Sequence, residues 1–269
     1  MLHGIDVSNN QGSIDWAQVA AATIEGEPVS FALMKRSQGT NFSDEYFPAN
    51  WAGAKAHGLW RAAYQFAVPT ANTPEAEASY LLSQLTLETY DGAALDYEPA
   101  DAYWQLHPDD WMLRFCQRIE AAAGVVPLIY TTKSIAAVVT NPALARYPLW
   151  LVCLEDTLPA SIGVWPSVAL WQHSWTGRVA GISGNVDLNK LERGLDGLRA
   201  LGKPAPKPLV WTIKTDCDLK AQANHGPNTV TRFKAGAIVE LDPPVTPHWQ
   251  HVHTSHYSGW VLADNLEHN

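Results

Sequence analysis

Short apolar runs recur along roughly the first 195 residues, each followed by a stretch with helical spacing or by a loop. Runs at Leu2 to Val7, Phe31 to Arg36, Trp60 to Ala67, Ala93 to Glu98, Val126 to Thr131, Leu149 to Leu154, Val168 to His173 and Val186 to Leu188 predict eight strands. The stretches between them carry helix starts: Asp15 ahead of Trp16, Asn50 ahead of Trp51, and Thr73-Pro74 with Glu75 and Glu77 in the first turn. Another helix opens at His107-Pro108-Asp109-Asp110, runs on to Ala123 and stops at Gly124. Alternating strands and helices predict a parallel sheet, and eight strands predict its closure into an α/β barrel of the (β/α)8 TIM-like kind. The crossover near residues 156–166 has no helical pattern, so the barrel is expected to be irregular.

At Gly202-Lys-Pro-Ala-Pro-Lys-Pro208 the pattern breaks. Proline at alternate positions gives a stiff extended spacer, which places a domain boundary there. Beyond it, Val210 to Ile213, Thr229 to Phe233, Ile238 to Leu241, His248 to His253 and Trp260 to Ala263 are short strand candidates separated by Gly, Pro and Asn turns. The expected organisation is a β/α barrel over residues 1–201, a linker over 202–208 and a small all-β domain over 209–269.

Composition narrows the function. The net charge is -9 with a pI of about 5.5, and no basic stripe is visible, which argues against a nucleic-acid partner. No apolar run reaches the roughly 20 residues of a membrane span, and the first residues lack the pattern of a secretory signal, so synthesis in the cytoplasm without membrane insertion is expected. Cys116, Cys153 and Cys217 have neither disulfide-framework nor zinc-knuckle spacing and are read as small buried hydrophobes. The 12 Trp and 9 Tyr suit both core packing and stacking on sugar rings.

In a β/α barrel the site forms at the C-terminal strand ends, where Asp6, Asp96, Glu98 and Asp187 fall. Asp96 and Glu98, at i and i+2 on one strand, point the same way with Cα atoms about 6.5 to 7 Å apart. That spacing suits two carboxyls flanking one glycosidic bond. Crowded acids cannot all ionise cheaply, so one is expected to keep its proton at neutral pH, as a leaving glycosidic oxygen requires. Asp-Tyr-Glu alone is also what two solvated acids at a strand end look like. What sets this one apart is the apolar run Ala93-Ala-Leu that leads into it.

Gly4-Ile-Asp-Val-Ser-Asn-Asn-Gln-Gly12, Ala32-Leu-Met-Lys-Arg-Ser-Gln-Gly-Thr40, Ala63-Tyr-Gln-Phe-Ala67, Leu95-Asp-Tyr-Glu98, Leu128-Ile-Tyr130, Pro148-Leu-Trp-Leu151, Leu170-Trp-Gln-His-Ser174 and Gly184-Asn-Val-Asp-Leu-Asn189 follow one another at the predicted strands. Together they resemble the lysozymes of glycoside hydrolase family 25. The resemblance implies cleavage of the β-1,4 bond between N-acetylmuramic acid and N-acetylglucosamine in peptidoglycan, without a cofactor. It implies Glu98 as general acid, Asp96 as its partner at the reacting sugar, either orienting the substrate's own acetamido group or attacking directly, and Asp6 and Asp187 as acids that set the field. Lys35, Tyr64, Tyr130, Trp150, Trp171 and Gln172 match strand ends that could line the sugar groove or the core. The chain has Gln38 where the family often has Glu, and Gln65 where it often has His.

The second domain resembles a bacterial Src-homology-3-like wall-binding module through Leu219-Lys-Ala-Gln-Ala, Gly226-Pro-Asn, Phe233-Lys-Ala-Gly-Ala-Ile-Val-Glu-Leu241 and Ser258-Gly-Trp-Val-Leu262. His248, His251, His253 and His256 lack acid or Cys partners at metal-ligand spacing, so no metal is expected there. The chain is expected to be a monomer and an endolysin released to the wall through a holin pore, with a bacterial autolysin or a prophage product equally compatible. A chitinase-like glycosidase and a noncatalytic wall-binding barrel stay open. A zinc amidase is disfavoured by the scattered His3, His57, His107 and His173.

Overall fold

The computed structural model of the chain describes residues 1–191, 194–202, 209–223, 227–241, 248–254 and 257–268. The chain divides into two compact units, Met1–Ala205 and Pro206–Asn269. The spacer expected at 202–208 lies outside the described residues from 203 on, as do Gly226 and His256.

In the first unit eight strands close into a barrel: β1 (Leu2–Val7), β2 (Glu27–Gln38), β3 (Trp60–Phe66), β4 (Gly92–Asp96), β5 (Leu128–Thr132), β6 (Leu149–Val152), β7 (Leu170–Gly177) and β8 (Val186–Leu191). Each strand pairs with its sequence neighbours, and β1 pairs with both β2 and β8, which seals the ring. The pairings from β1 round to β7 are parallel. β8 is antiparallel to both β7 and β1, which corrects the expectation of a wholly parallel barrel. The cause is the connection: residues 178–185 hold no helix, and a parallel return would need a crossover of a dozen or more residues. No helix lies between β6 and β7 either, where the sequence lacked a helical pattern.

The helices begin largely where their caps are written. Asp15 accepts from the N–H groups of Ala17 and Gln18 at the start of α1 (Trp16–Ala21), and Thr73 accepts from Ala76 N ahead of α3 (Pro74–Ser83). α2 (Phe47–Ala56) differs from expectation. It starts before Asn50, whose side chain is not a cap but accepts from the Trp16 indole at 3.2 Å. A short α4 (Ala102–Leu106) precedes α5 (Asp109–Ala123), which ends at Gly124 with φ 68°, a left-handed value that suits glycine. α6 (Lys133–Val138) and α7 (Leu195–Arg199) complete the set.

Strand alternation sorts the side chains into an inner core and outer cores, one of the latter formed by Ile5, Val7, Trp16, Val19, Met34 and Phe47. Outward residues Leu95, Tyr97, Ile129 and Leu149 meet the stripe Trp111, Met112, Phe115 and Ile119 of α5. Inward residues Phe31, Leu33, Trp60, Ala62, Ala94, Leu128, Leu170 and Leu191 fill the barrel. Gly4 is required by that filling, since a Cβ there would lie 2.3 Å from the Phe31 ring.

Among the described residues the second unit is an antiparallel sheet of seven strands: β9 (Leu209–Ile213), β10 (Cys217–Lys220), β11 (Thr229–Phe233), β12 (Ile238–Leu241), β13 (Trp249–His253), β14 (Ser258–Leu262) and β15 (Leu266–His268). The sequence reading had five. It missed β10, although Cys217 and Leu219 there alternate inward with Asp218 and Lys220, and the three-residue β15. Ile213, Leu219, Phe233, Val239, Val252 and Val261 form its core. The three cysteines are buried and free.

Candidate active site

The inward alternation that fills the barrel turns polar at one end. Asp6 comes from β1, Lys35 from β2, Tyr64 and Phe66 from β3, Asp96 from the end of β4, Tyr130 from β5 and Trp150 from β6, and all line one cleft. Glu98 lies two residues past β4 and lines it too. Backbone bonding carries on beyond the strand end, with Tyr97 N donating to Tyr130 O at 2.9 Å and the Thr131 hydroxyl donating to Tyr97 O at 2.7 Å. Alternation therefore persists: Tyr97 is buried outward against Trp111, and Asp96 and Glu98 both face the cleft. Asp187 is the second residue of β8, and it reaches the same mouth because that strand runs antiparallel.

Asp6 and Asp187 are direct partners in the β1–β8 register and share a hydrogen bond. Burial raises the Asp6 carboxyl well above the usual range, and the Asp187 charge pushes it further. Burial also raises Asp187, against hydrogen bonds from Asp6 and Gln172 that favour its charged form. The two carboxyls titrate as a pair, with burial raising both and Asp6 the more deeply buried of the two. Asn189 Nδ2 donates to Asp6 Oδ2 at 2.7 Å.

Asp96 is only 6% exposed, and its Oδ1 has no hydrogen-bond partner. Burial lifts it well above the usual carboxylate range, the Glu98 charge adds to this, and Lys35 opposes it. Glu98, more open to the cleft, is raised by burial and held back by Lys35. Two carboxyls so close titrate as a pair. In the open cleft the deeper Asp96 holds a proton more firmly than Glu98, and covering Glu98 with a ligand would strip its water and shift the balance toward it. Burial in turn lowers Lys35, whose ammonium lies 4.6 Å from the Phe66 ring centre and donates to Gln38 Oε1 at 2.8 Å.

The cleft also has an aromatic wall. Trp150 meets Tyr130 edge-on at 4.6 Å and Tyr64 at 6.1 Å. Burial and the surrounding acids raise both tyrosine hydroxyls, which keeps them neutral at any ordinary pH. Flat rings beside hydrogen-bonding acids suit a sugar.

Of the residues singled out in the sequence, Asp6, Asp96, Glu98, Asp187, Lys35, Tyr64, Tyr130 and Trp150 line the cleft. Gln172 is buried and meets Asp187 rather than open space. Trp171, its neighbour on β7, faces the other way: its indole donates to Cys153 O at 2.6 Å and packs against the outer core, so it does not line the groove. The reading missed Ser8, Asn10, Gln11 and Phe66 at the cleft and Asn189 beneath it. Asn189 was legible, because it follows Asp187 by two on one strand. The Ser8–Gln11 turn was legible as a local capping box, with Ser8 N donating to Gln11 Oε1 at 2.9 Å. Its placement at the cleft was not, since that depends on Asp44, which accepts from Asn9 N, and on a Gln11 bond to Asn185 O. Among the described residues no group of three or more His, Cys, Asp or Glu is disposed to hold a metal ion.

Residues 5–182 match the model of Glycosyl hydrolases family 25. The chain is 34% identical to Lysozyme M1 of Streptomyces globisporus, over 74% of this chain and 71% of that protein. It is 29% identical to the N,O-diacetylmuramidase of a Chalaropsis species, over 72% of this chain and 100% of that one. Among solved structures, the bacterial lysozyme of Streptomyces coelicolor superposes with a TM-score of 0.67 at 34% identity, covering 75% of this chain and 97% of that one. A match across this much of the barrel, at this identity, is not shared fold alone, and the chain belongs to glycosyl hydrolases family 25.

Proposed function

We propose that the cleft hydrolyses the β-1,4 bond between N-acetylmuramic acid and N-acetylglucosamine, making the chain a peptidoglycan hydrolase of the lysozyme type. The observation that carries this is the meeting of Asp6, Asp96, Glu98 and Asp187 in one cleft where burial raises the carboxyls above their usual range. Glu98, more open to the cleft than Asp96, donates a proton to the leaving oxygen once substrate covers it. Asp96 faces the reacting sugar, and the Asp187 charge favours the positive character that develops there. Lys35 keeps the inner pair from becoming wholly neutral.

Digestion of purified peptidoglycan followed by mass spectrometry of the muropeptides tests the reading. New reducing muramic acid ends are expected, and Glu98→Gln is expected to abolish them while the protein still binds the wall. Reducing N-acetylglucosamine ends, or cleavage of chitin instead, would overturn it.

The second unit is, on this reading, a Src-homology-3-like module that grips the wall, raising the enzyme's local concentration on a polymeric substrate. Its support is the all-antiparallel sheet and the Gly259-Trp-Val mark, where a Cβ on Gly259 would lie 2.5 Å from Lys220 O. The chain acts, in this proposal, as an endolysin on the bacterial wall after release from the cytoplasm.

A further inference from the structure

A line of hydrogen bonds crosses the barrel beneath the cleft. Trp150 Nε1 on β6 donates to Asn189 Oδ1 at 2.8 Å, and Asn189 Nδ2 on β8 donates to Asp6 Oδ2 at 2.7 Å. Asp6 bonds Asp187, which bonds Gln172. Asn189 is fully buried, so neither end of its amide can turn to water.

The indole fixes the direction of this line. An indole N–H can only donate, so the amide oxygen of Asn189 is committed to Trp150 and its NH2 must face Asp6. Asp6 Oδ2 is thereby held as an acceptor. It cannot hand a proton to Asn189, and the proton of the acidic pair stays between Asp6 and Asp187. The other charged or titratable groups facing Asp6 are Glu98, Asp96 and Lys35, with the neutral hydroxyls of Tyr64 and Tyr130 beside them.

We propose that Asn189 is a positioning residue for the hydrolysis: clamped by Trp150, it holds Asp6 as an acceptor and so keeps the Asp6–Asp187 pair at one proton and one negative charge. A pair that gained a second proton would offer no charge to the oxocarbenium-like transition state, and one that lost its proton would set two charges face to face. This rests on the reading of the cleft as a glycosidase. The two fail differently, because an active Glu98→Gln protein would sink that reading, whereas only pH behaviour bears on Asn189.

The test is the pH profile of reducing-end release from purified peptidoglycan by the full chain, with thermal denaturation alongside. Asn189→Asp is nearly isosteric and imitates the amide only while protonated. Its activity is expected to survive at acidic pH and to fall about tenfold or more relative to the parent toward neutral pH. Asn189→Ala deprives Asp6 of a donor that favours its charged form. Its acidic limb is expected to move to higher pH and its kcat to fall about tenfold, with KM changed by less than about twofold. Trp150→Phe frees the amide to turn and should move the limb the same way by less. Asn189→Asp and Asn189→Ala proteins that keep the parent's pH profile, whatever their melting temperatures, would show Asn189 to be structural and overturn the proposal. If Asn189→Ala does not fold, Asn189→Asp decides alone.

Discussion

Asp6 faces Asp187 directly across the antiparallel pairing of β1 and β8, two acids set opposite one another in adjacent strands. Like charges in that position are ordinarily unfavourable, and here they are tolerated because one carboxyl keeps its proton and bonds the other. The strand reversal that creates the pair also delivers an acid from the start of β8 to a mouth otherwise built from strand ends.

The acids of the cleft should make the fold more stable in acid. All four carboxyls are raised by burial, so above the ordinary carboxylate range the folded chain binds more protons than the unfolded one. The stability they contribute is complete below about pH 4 and drains away as pH rises through the raised values. Asp96→Asn removes part of this dependence. It is expected to melt higher than the parent at pH 7, at about 2–4 °C per kcal/mol gained, with the gap closing toward pH 4 and activity lost. Calorimetry across that range checks it.

Lys35 opposes the raised values of both Asp96 and Glu98. Lys35→Met should lift both carboxyls further and move the acidic limb of kcat/KM to higher pH. An accompanying loss of about 10- to 100-fold is expected. Lys35→Arg keeps the charge and should keep the limb in place. A pH–rate series on the three proteins decides, and an unmoved limb in Lys35→Met would remove Lys35 from the electrostatics of the site.

At a distance from the acids, Arg61 and Asp91 form a paired contact of 2.8 and 2.9 Å with both side chains nearly buried, and the guanidinium also lies 4.1 Å from the Trp51 ring centre. Removing one partner strands the other's charge. Asp91→Ala should cost about 3–5 kcal/mol in urea unfolding while leaving the pH profile of activity unchanged. Glu88, within 3.4 Å of Arg61 but half-exposed, can recover part of that.

How much of this was legible in the sequence differs residue by residue. The caps at Asp15 and Thr73 and the stop at Gly124 act within one turn of chain, and they were readable. Asn50 was misread as a cap because its partner, the Trp16 indole, is 34 residues away. Trp171 and Gln172 looked alike as strand-end residues, yet adjacent strand positions face opposite sides, and only the closed barrel says which side is inside.

By itself the sequence determined the strand and helix periods, the acid-tipped fourth strand and the order of the motifs, because side-chain alternation and capping are local properties of the chain. Tertiary structure alone decided the direction of β8, the facing of Asp6 and Asp187, the clamp of Trp150 on Asn189 and the burial that raises the carboxyls of the cleft. Those depend on which distant segments pair when the ring closes and on how much water the closure leaves, and neither quantity is carried by any short stretch of residues.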